Sequence, residues 1–246
     1  MDRTQLSREK FNELFGEFPT IDSKDPELME ILQKFIFGEV FYVGDLEDSL
    51  RELVTVVLLA VQQTFPQLKA HTEAALRIGV TPIEIKEAIY QCAPFIGFPK
   101  TLNAVNAINE VFEEQGIALP LPSQKQVTEE ERFEKGKAIQ TPIYGDEIQQ
   151  AHQDLPENLK TVVPNFLTAF GFGDFYTRSG LSLQTRELLI LCMLVANGQE
   201  KQILAHAKGN LKVGNSKEVL LATMIHCLPY IGFPNVLNAI SIINKS

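Results

Sequence analysis

The chain has 246 residues, of which 45% are hydrophobic, and it carries a formal net charge of −9. This length suits two domains of about 115 residues each. The acidic balance, with no basic stripe, argues against nucleic acid as a partner. The N-terminal sequence MDRTQLSREK is too polar for a secretory signal, and the longest apolar run, Leu53 to Val61, is far shorter than the ~20 residues that span a bilayer. We therefore expect a cytoplasmic protein that does not bind membranes.

Helical periodicity runs through almost the whole first half. The first predicted helix opens with Asp25 as its N-cap and Pro26 in its first turn. The segment SLRELVTVVLLAVQQ, residues 49–63, is apolar nearly all round and predicts a buried central helix. The segment PQLKAHTEAALRIG predicts a third helix that ends at Gly79. Two more helices follow, one opened by a capping box of Thr81 and Glu84 and running to about Cys92, and one from about Thr101 to Glu114.

The second half repeats the first. The sequence CAPFIGFPKTLNAVNAIN, from Cys92, returns as CLPYIGFPNVLNAISIIN, from Cys227, which is an offset of 135 residues. The same offset relates FGEVF, which ends at Phe41, to FGDFY, which ends at Tyr176. Helices are accordingly predicted near Asn158–Phe172 and Gln184–Ala196. An internal repeat means that each copy is nearly the same folding unit.

The sequence therefore predicts an all-α protein built from two helical bundles. We place the first repeat at residues 1–118, a Pro-rich polar linker at 119–130 and the second repeat at 131–246. The two bundles are expected to pack as an internal pseudo-dimer, because identical apolar faces tend to meet about a two-fold axis.

The three cysteines, Cys92, Cys192 and Cys227, do not form a CxxC pair. Their odd number and irregular spacing argue against a disulfide framework and against a zinc site. We interpret them as small buried apolar side chains. A nucleophilic role for Cys227 stays open as an alternative, although no activating partner is evident.

Polar residues that recur at the fixed offset are the candidates for chemistry. His71 and His206 occupy the same place in both copies, and histidine is the usual proton-transfer group near neutral pH. Arg51-Glu52 and Arg186-Glu187 open the buried helix of each copy. These pairs either line a pocket or only complement the helix dipole.

Two further features are candidates for proton transfer. Glu39 and Asp174 each follow a glycine and are flanked by aromatic residues, so a raised pKa would suit them to act as general acids. A solvated carboxylate at a helix end is the alternative. His226 has Gln91 as its counterpart and is a proton-handling candidate found in one copy only.

The order of these motifs resembles the carboxymuconolactone decarboxylase family of the alkylhydroperoxidase D-like superfamily. The resemblance rests on FGDFYTRSGLSLQTRELLILCMLVANGQ, then His206, then HCLPYIGFPNVLNAI, and it covers most of both repeats. It implies two tandem helical-bundle repeats of the alkylhydroperoxidase D-like type. Single-domain members form hexamers built from dimers, so the resemblance implies a homo-oligomer, a trimer of pseudo-dimers.

The superfamily has a peroxidase branch and a decarboxylase branch, which differ in a CxxC motif. Counted back from His71 and His206, the two cysteine positions hold Thr64 and Gln67 in the first copy, and Gln199 and Gln202 in the second. A peroxidase redox cycle cannot run without a dithiol. The resemblance therefore favours the decarboxylase branch, which removes CO2 from a carboxylated γ-lactone without a metal or any other cofactor.

That resemblance suggests a role for each candidate and a small anionic organic substrate. Arg186, with Arg178, would bind the substrate carboxylate, and His206 would polarise the substrate or donate a proton. The full set of candidates comprises His206, Glu187, Asp174, His226, His71, Glu52 and Glu39 for catalysis, and Arg186, Arg178, Arg51 and Tyr230 for substrate binding.

The two copies are not equivalent at these positions. We predict that the second copy holds the working site and that the first is a degenerate structural partner. A hydroperoxide or disulfide reductase, and an oligomeric binding protein without catalysis, are the alternative functions. The prediction rests on Arg178, Gly180, His226 and Tyr230 in the second copy, where the first has Val43, Asp45, Gln91 and Phe95.

Overall fold

A computed structural model describes residues 2–17, 24–145 and 147–246. Within these ranges the secondary structure is helical with no β-strand, as the sequence predicts. The helices of the first half are α1 (Arg3–Phe15), α2 (Pro26–Gly38), α3 (Asp48–Gln62), α4 (Phe65–Arg77), α5 (Pro82–Tyr90), α6 (Ala93–Ile96) and α7 (Phe98–Glu114), with a 3-10 turn at Val40–Tyr42.

The second half repeats this order with one change of helix type. The predicted helix near Asn158–Phe172 is a short α-helix that continues directly into a π-helix, Leu167–Tyr176. Such wider turns are rare and are often found at functional sites. The remaining helices are α8 (Arg132–Tyr144), α9 (Glu147–Gln150), α10 (Val162–Phe166), α11 (Leu183–Ala196), α12 (Glu200–Lys212), α13 (Lys217–Ile231) and α14 (Phe233–Asn244).

Of the caps that the sequence predicts, the capping box of α5 is present, whereas the Asp25 side chain makes no cap hydrogen bond at the start of α2. Thr81 and Glu84 form the expected capping box at the start of α5, which satisfies two backbone N–H groups. Ser182 and Ser216 accept hydrogen bonds from the first turns of α11 and α13.

The two halves share one hydrophobic core, as an internal pseudo-dimer requires. The central helices α3 and α11 contact each other, and α13 of the second half also packs on α3. Because α3 and α11 are both almost wholly buried, their apolar side chains form a continuous cluster across the pseudo-two-fold axis. An irregular segment over residues 117–128 joins the halves.

Helices α1 and α8 were not recognised as a repeated pair in the sequence. Arg3 in α1 pairs with Glu39, and Arg132 in α8 pairs with Asp174, so the two helices occupy equivalent places. Their offset is 129 residues rather than 135 because the following connection is six residues longer in the second half. Within the described ranges, no helix is both long and apolar enough to cross a membrane.

Candidate active site

The most elaborate polar cluster of the second half is centred on Glu187, the carboxylate that α11 carries in its first turns. Its side chain is fully buried, and its Oε2 lies 2.9 Å from Nδ1 of His206 on α12. Tyr176, from the π-helix, donates its hydroxyl proton to Glu187 Oε1 at 2.6 Å. The hydroxyl of Tyr144, from α8, lies 2.9 and 2.8 Å from the two carboxylate oxygens and 2.7 Å from His206 Nδ1. We call these four residues the His206 centre.

The hydrogen bonds of the His206 centre define the orientation of its imidazole. A carboxylate only accepts, so Nδ1–H donates to Glu187 and Nε2 is left as the ring nitrogen without a partner among the described residues. Asn210 donates to the backbone carbonyls of Glu187 and His206 at 3.0 and 2.8 Å, which ties α11 to α12. Hydrogen bonds of this kind around a histidine hold the proton-transfer group in one orientation.

Both tyrosines act as hydrogen-bond donors because they stay protonated. Burial, followed by the charge of Glu187, raises the pKa of Tyr144 and the pKa of Tyr176 far above the ordinary range. Gly209 makes room for this cluster, since a Cβ there would lie 2.7 Å from the Tyr144 hydroxyl. The equivalent position of the first half is Ala74, and there Phe15 replaces Tyr144.

A cavity of about 200 Å³ opens beside His206. Its wall is mostly apolar, and it includes Phe95 from the first half, whose ring centroid lies 5.8 Å from that of His206. No lysine or arginine is among the described residues that line it. The lining residues are Pro94, Phe95, Tyr144, Ile148, Leu167, Gly171, Phe172, Tyr176, Gln202, Ala205 and His206.

The equivalent cluster in the first half, which we call the His71 centre, is less completely bonded. His71 Nδ1 lies 2.8 Å from Glu52 Oε2, which repeats the His–Glu pair of the second half. Phe15 and Phe41 stand where the His206 centre has its two tyrosines, and Glu52 Oε1 is buried without a partner. Tyr230 from the second half lies beside His71, with ring centroids 5.8 Å apart, and its hydroxyl is likewise buried and unpaired.

His226 belongs to the His71 side of the molecule and stays neutral. Its Nε2 lies 3.0 Å from the carbonyl oxygen of Arg51 and 3.0 Å from Thr55 Oγ1. Because a carbonyl only accepts, Nε2 carries the proton and Nδ1 is an unpaired acceptor. Burial, reinforced by the charge of Arg51, lowers the pKa of His226 to about 3. A histidine with this pKa is a poor source of protons near neutral pH.

The structure thus brings the predicted residues together in a crossed arrangement. The sequence grouped His206, His226 and Tyr230 in one site of the second repeat, but His226 and Tyr230 lie next to the His71 centre. Conversely, Phe95 of the first half lies against His206. Each centre is therefore completed by the other half of the chain.

The predicted role of Arg186 and Arg51 in substrate binding does not fit their positions. Both side chains are almost completely buried, and each guanidinium donates to the backbone carbonyls of the loop that precedes its own helix. Arg51 donates to Val43 and Gly44, and Arg186 to Arg178 and Ser179. These two arginines hold a loop in place.

Arg178 is also engaged away from the cavity. It forms a bidentate ion pair with Glu87 of the first half, with three hydrogen bonds of 2.8 to 3.1 Å. Arg186 Nη2 donates to the same carboxylate at 3.0 Å. The pair therefore links the two halves and leaves the His206 cavity without an arginine.

Glu39 and Asp174, which we predicted as general acids, are salt-bridge partners of α1 and α8. Asp174 accepts from both Nε and Nη2 of Arg132, and Glu39 accepts from Arg3 Nη1 at 2.9 Å. Neither carboxylate bonds to a residue of the two centres. Their shared task is to attach α1 to the end of α2 and α8 to the π-helix.

The cysteines are buried thiols. Cys227 Sγ lies 3.9 Å from Cys192 Sγ, and this contact together with burial raises the pKa of Cys227 well above its ordinary value. A thiol in such surroundings is a poor nucleophile. Across the described part of the chain, no group of three or more His, Cys, Asp and Glu side chains is placed to hold a metal ion.

Two members of the His206 centre were missed in the sequence. Tyr176 stood in the quoted FGDFY segment, and its replacement by Phe41 in the first copy was a usable signal. Tyr144 left no such signal, because the offset of its helix differs from that of the remaining repeat.

Comparison with known proteins agrees with this architecture. The model of the carboxymuconolactone decarboxylase family matches the chain twice, over residues 26–110 and 162–245. The chain belongs to this family. Both matched segments contain a His–Glu pair, at His71 with Glu52 and at His206 with Glu187.

Named relatives are similar to roughly one repeat at a time. The 4-carboxymuconolactone decarboxylase of Acinetobacter baylyi is 26% identical over 108 residues, which is 44% of this chain and 81% of the relative. The nitrosuccinic acid decarboxylase of Metarhizium robertsii is 32% identical over 76 residues, 31% of this chain and 53% of the relative.

A solved structure resembles the whole chain. The crystal structure described as a gamma-carboxymuconolactone decarboxylase subunit from Burkholderia xenovorans has a TM-score of 0.55 and 22% sequence identity, and the match covers 99% of this chain and 92% of that one. This likeness shows the fold alone.

Proposed function

We propose that the chain is a cofactor-independent decarboxylase whose reaction takes place at the His206 centre. Its substrate would be a small organic acid in which an electron-withdrawing group, such as a lactone carbonyl or a nitro group, activates the carbon that bears the carboxylate. The observation that carries the proposal is a His–Glu pair, fully oriented by two tyrosines, that faces a mostly apolar cavity. Two relatives, decarboxylases of a lactone and of a nitro acid, support this class.

The apolar cavity favours the bond-breaking step. A carboxylate loses its charge when its C–C bond breaks and neutral CO2 leaves, so a wall that solvates the carboxylate poorly disfavours the starting state. The electron pair of the broken bond passes into the lactone carbonyl or nitro group of the substrate. In this reaction the substrate itself, rather than a cofactor, would accept the electrons.

His206 would complete the reaction by protonating carbon. When the imidazole is doubly protonated, Nε2–H faces the cavity and can transfer its proton to the carbanion. Glu187 stabilises the imidazolium through Nδ1–H, and the hydroxyl protons of Tyr144 and Tyr176 keep that carboxylate from rotating. Water then returns a proton to His206, so each turnover consumes one proton and releases one CO2.

His206 would also bind the substrate carboxylate, because no lysine or arginine is among the described residues of the cavity wall. The imidazolium would be the positive charge nearest to the substrate carboxylate, in place of the arginine that the sequence analysis assigned. Substrate binding and proton delivery would then depend on the same protonated side chain.

The reductase alternative is less well supported. The positions of the missing thiol pair are Gln199 and Gln202 in the second half, and the side chain of Gln202 lines the cavity. The three cysteines of the chain lie elsewhere and are buried. No dithiol is therefore available beside His206 to reduce a hydroperoxide.

The test is turnover of 4-carboxymuconolactone and of nitrosuccinate, followed by ultraviolet absorbance and by CO2 release without added metal or thiol. His206→Ala should lower kcat by about 10²- to 10⁴-fold, because a positioned general acid contributes that much. His71→Ala is the matched control and should retain turnover. Loss of activity in His71→Ala alone would move the reaction to the other centre and refute this assignment. A wild-type chain inert toward both acids would contradict the substrate class.

We also propose that three chains assemble into a closed ring. Large apolar side chains are exposed to nearly equal extents at equivalent positions of the two halves: Phe98 and Phe233 at 55% and 54%, and Leu102 and Leu237 at 56% and 58%. A pseudo-symmetric chain that presents the same apolar patch twice can bury both in a cyclic assembly. Sedimentation should give three times the chain mass of 27.6 kDa, and a monomer at micromolar concentration would contradict the proposal.

A further inference from the structure

A second concave region lies away from both His–Glu centres, between α5, α7 and the linker. Its volume is about 480 Å³, which falls within the usual range for small-molecule sites. Residues 119–124 of the linker line it, and so does Arg178 of the second half. We call this region the linker groove.

The linker groove contains a buried lysine that lacks an acidic partner. Lys86 is only 8% exposed, and its ammonium donates to Asn109 Oδ1 and lies 5.4 Å from the centre of the Phe112 ring. Burial lowers the pKa of Lys86. Among the described residues no carboxylate pairs with it, which is unusual because buried charges are normally paired.

The surrounding charges make the groove positive. Glu87 is the one carboxylate in the lining, and it is shared between Arg178 and Arg186. Among the described residues that line the groove, Lys86 and Arg178 therefore outnumber the acids by two to one. This excess stands out because residues 1–118 carry 10 basic and 19 acidic side chains.

Comparison with the other repeat shows whether the fold requires the charges of Lys86, Glu87 and Arg178. The same fold is built without the counterparts of Lys86, Glu87 and Arg178 at the pseudo-equivalent place, where Gly44 packs so closely on Ala222 that an added Cβ would lie 2.4 Å from the Ala222 Cβ. The charges are therefore not needed to form this junction of helices. Leu221, Ala222, Ile225 and Val43 stand at the positions equivalent to Lys86, Glu87, Tyr90 and Arg178.

The other walls indicate the shape of a ligand. Ile83, Val105 and residues 119–122 give an apolar side, whereas Asn109, Ser123 and Gln124 add hydrogen-bonding groups. The ring of Tyr90 lines the groove and stacks under the Arg178 guanidinium, 5.4 Å from its carbon. A flat apolar body could lie along this side with its anionic end toward Lys86.

We propose that the linker groove binds a small organic carboxylate with a ring or other flat apolar body, held at its charged end by Lys86 and Arg178. The site is separate from the His206 cavity, and it does not depend on the decarboxylase function. It does share a structural connection with that cavity, because Glu87 bonds to Arg186, which directly precedes Glu187 in the chain.

Titration calorimetry with benzoate, inorganic phosphate and benzamide tests the proposal. Benzoate should bind, and uncharged benzamide of the same shape should bind at least about tenfold more weakly, because hydrogen bonds to charged groups exceed neutral ones by this margin. Phosphate should also bind more weakly than benzoate, since it has no apolar body. Equal affinity for benzoate and benzamide would overturn the proposal without the use of any variant, and so would phosphate binding as tightly as benzoate.

Variants locate the binding. Lys86→Leu copies the equivalent residue Leu221 and should weaken benzoate binding at least about tenfold. Lys135→Leu, at an exposed lysine of α8, is the matched control and should leave it unchanged, as should His206→Ala. Benzoate affinity lost in His206→Ala but kept in Lys86→Leu would place the ligand in the other cavity and refute the site. The melting temperature of Lys86→Leu should equal or exceed that of wild type, which shows that lost binding is not lost folding.

Discussion

Replacing His226 with glutamine should make the stability of the protein less sensitive to acid. Glutamine is the residue at the equivalent position of the first half, Gln91, and its amide can donate to the Arg51 carbonyl as His226 Nε2–H does at 3.0 Å. The substitution therefore keeps the main hydrogen bond and removes only the titrating group.

The magnitude follows from the two pKa values of His226. Its pKa is about 3 in the folded chain and about 6.5 in the unfolded chain. Between these values the unfolded state binds more protons, so the free energy of unfolding falls as the pH is lowered. From pH 7 to pH 5 this one group should remove about 2 kcal/mol of stability, and most of that loss should be absent in His226→Gln.

Urea denaturation at pH 7 and pH 5 measures the difference. The wild type should lose about 2 kcal/mol more than His226→Gln over this interval, after the contributions of other groups cancel in the comparison. His152→Gln makes the same substitution at a histidine outside both centres and is the control for the exchange itself. If wild type and His226→Gln lost equal stability, His226 would titrate normally, and its exclusion as a proton donor would be unfounded.

Two further predictions concern arginine and assembly. Arg186→Met should lower the free energy of unfolding by roughly 3–5 kcal/mol, as expected when one partner of a buried ion pair is removed. Arg51→Met should also lower the free energy of unfolding strongly. An Arg186 variant of normal stability with a raised KM would instead support the substrate-binding role. Phe98→Asp combined with Phe233→Asp should yield monomers in sedimentation while circular dichroism stays helical, and an unchanged mass would show that these patches are not the contact between chains.

The fold could be read from the sequence because the repeat supplied two independent copies of each signal. The capping box of Thr81 and Glu84 and the continuous apolar helix at residues 49–63 are local features that depend little on distant contacts. The four residues of the His–Glu pairs were also candidates, since one constant offset relates Glu52 to Glu187 and His71 to His206, but their pairing was not predicted.

The features that the sequence did not predict depend on contacts between distant parts of the chain. Nothing local to Tyr230 or His226 reveals that they lie beside His71, because that contact exists only once the two halves pack about their axis. The positions of the arginines could not be predicted for a related reason: a buried guanidinium that donates to backbone carbonyls has the same sequence pattern as one that binds a ligand. The π-helix at Leu167–Tyr176 packs on α8, and the sequence predicts only a helix there.

The crossed composition of the two centres has an evolutionary consequence. In a symmetric homodimer one gene encodes both halves, so any substitution appears at both centres at once. Duplication and fusion remove that constraint, and Phe95 can diverge from Tyr230, or Gln91 from His226, with each change confined to a single centre. In a fused chain each centre can therefore change on its own, whereas in a symmetric homodimer both centres would have to change together.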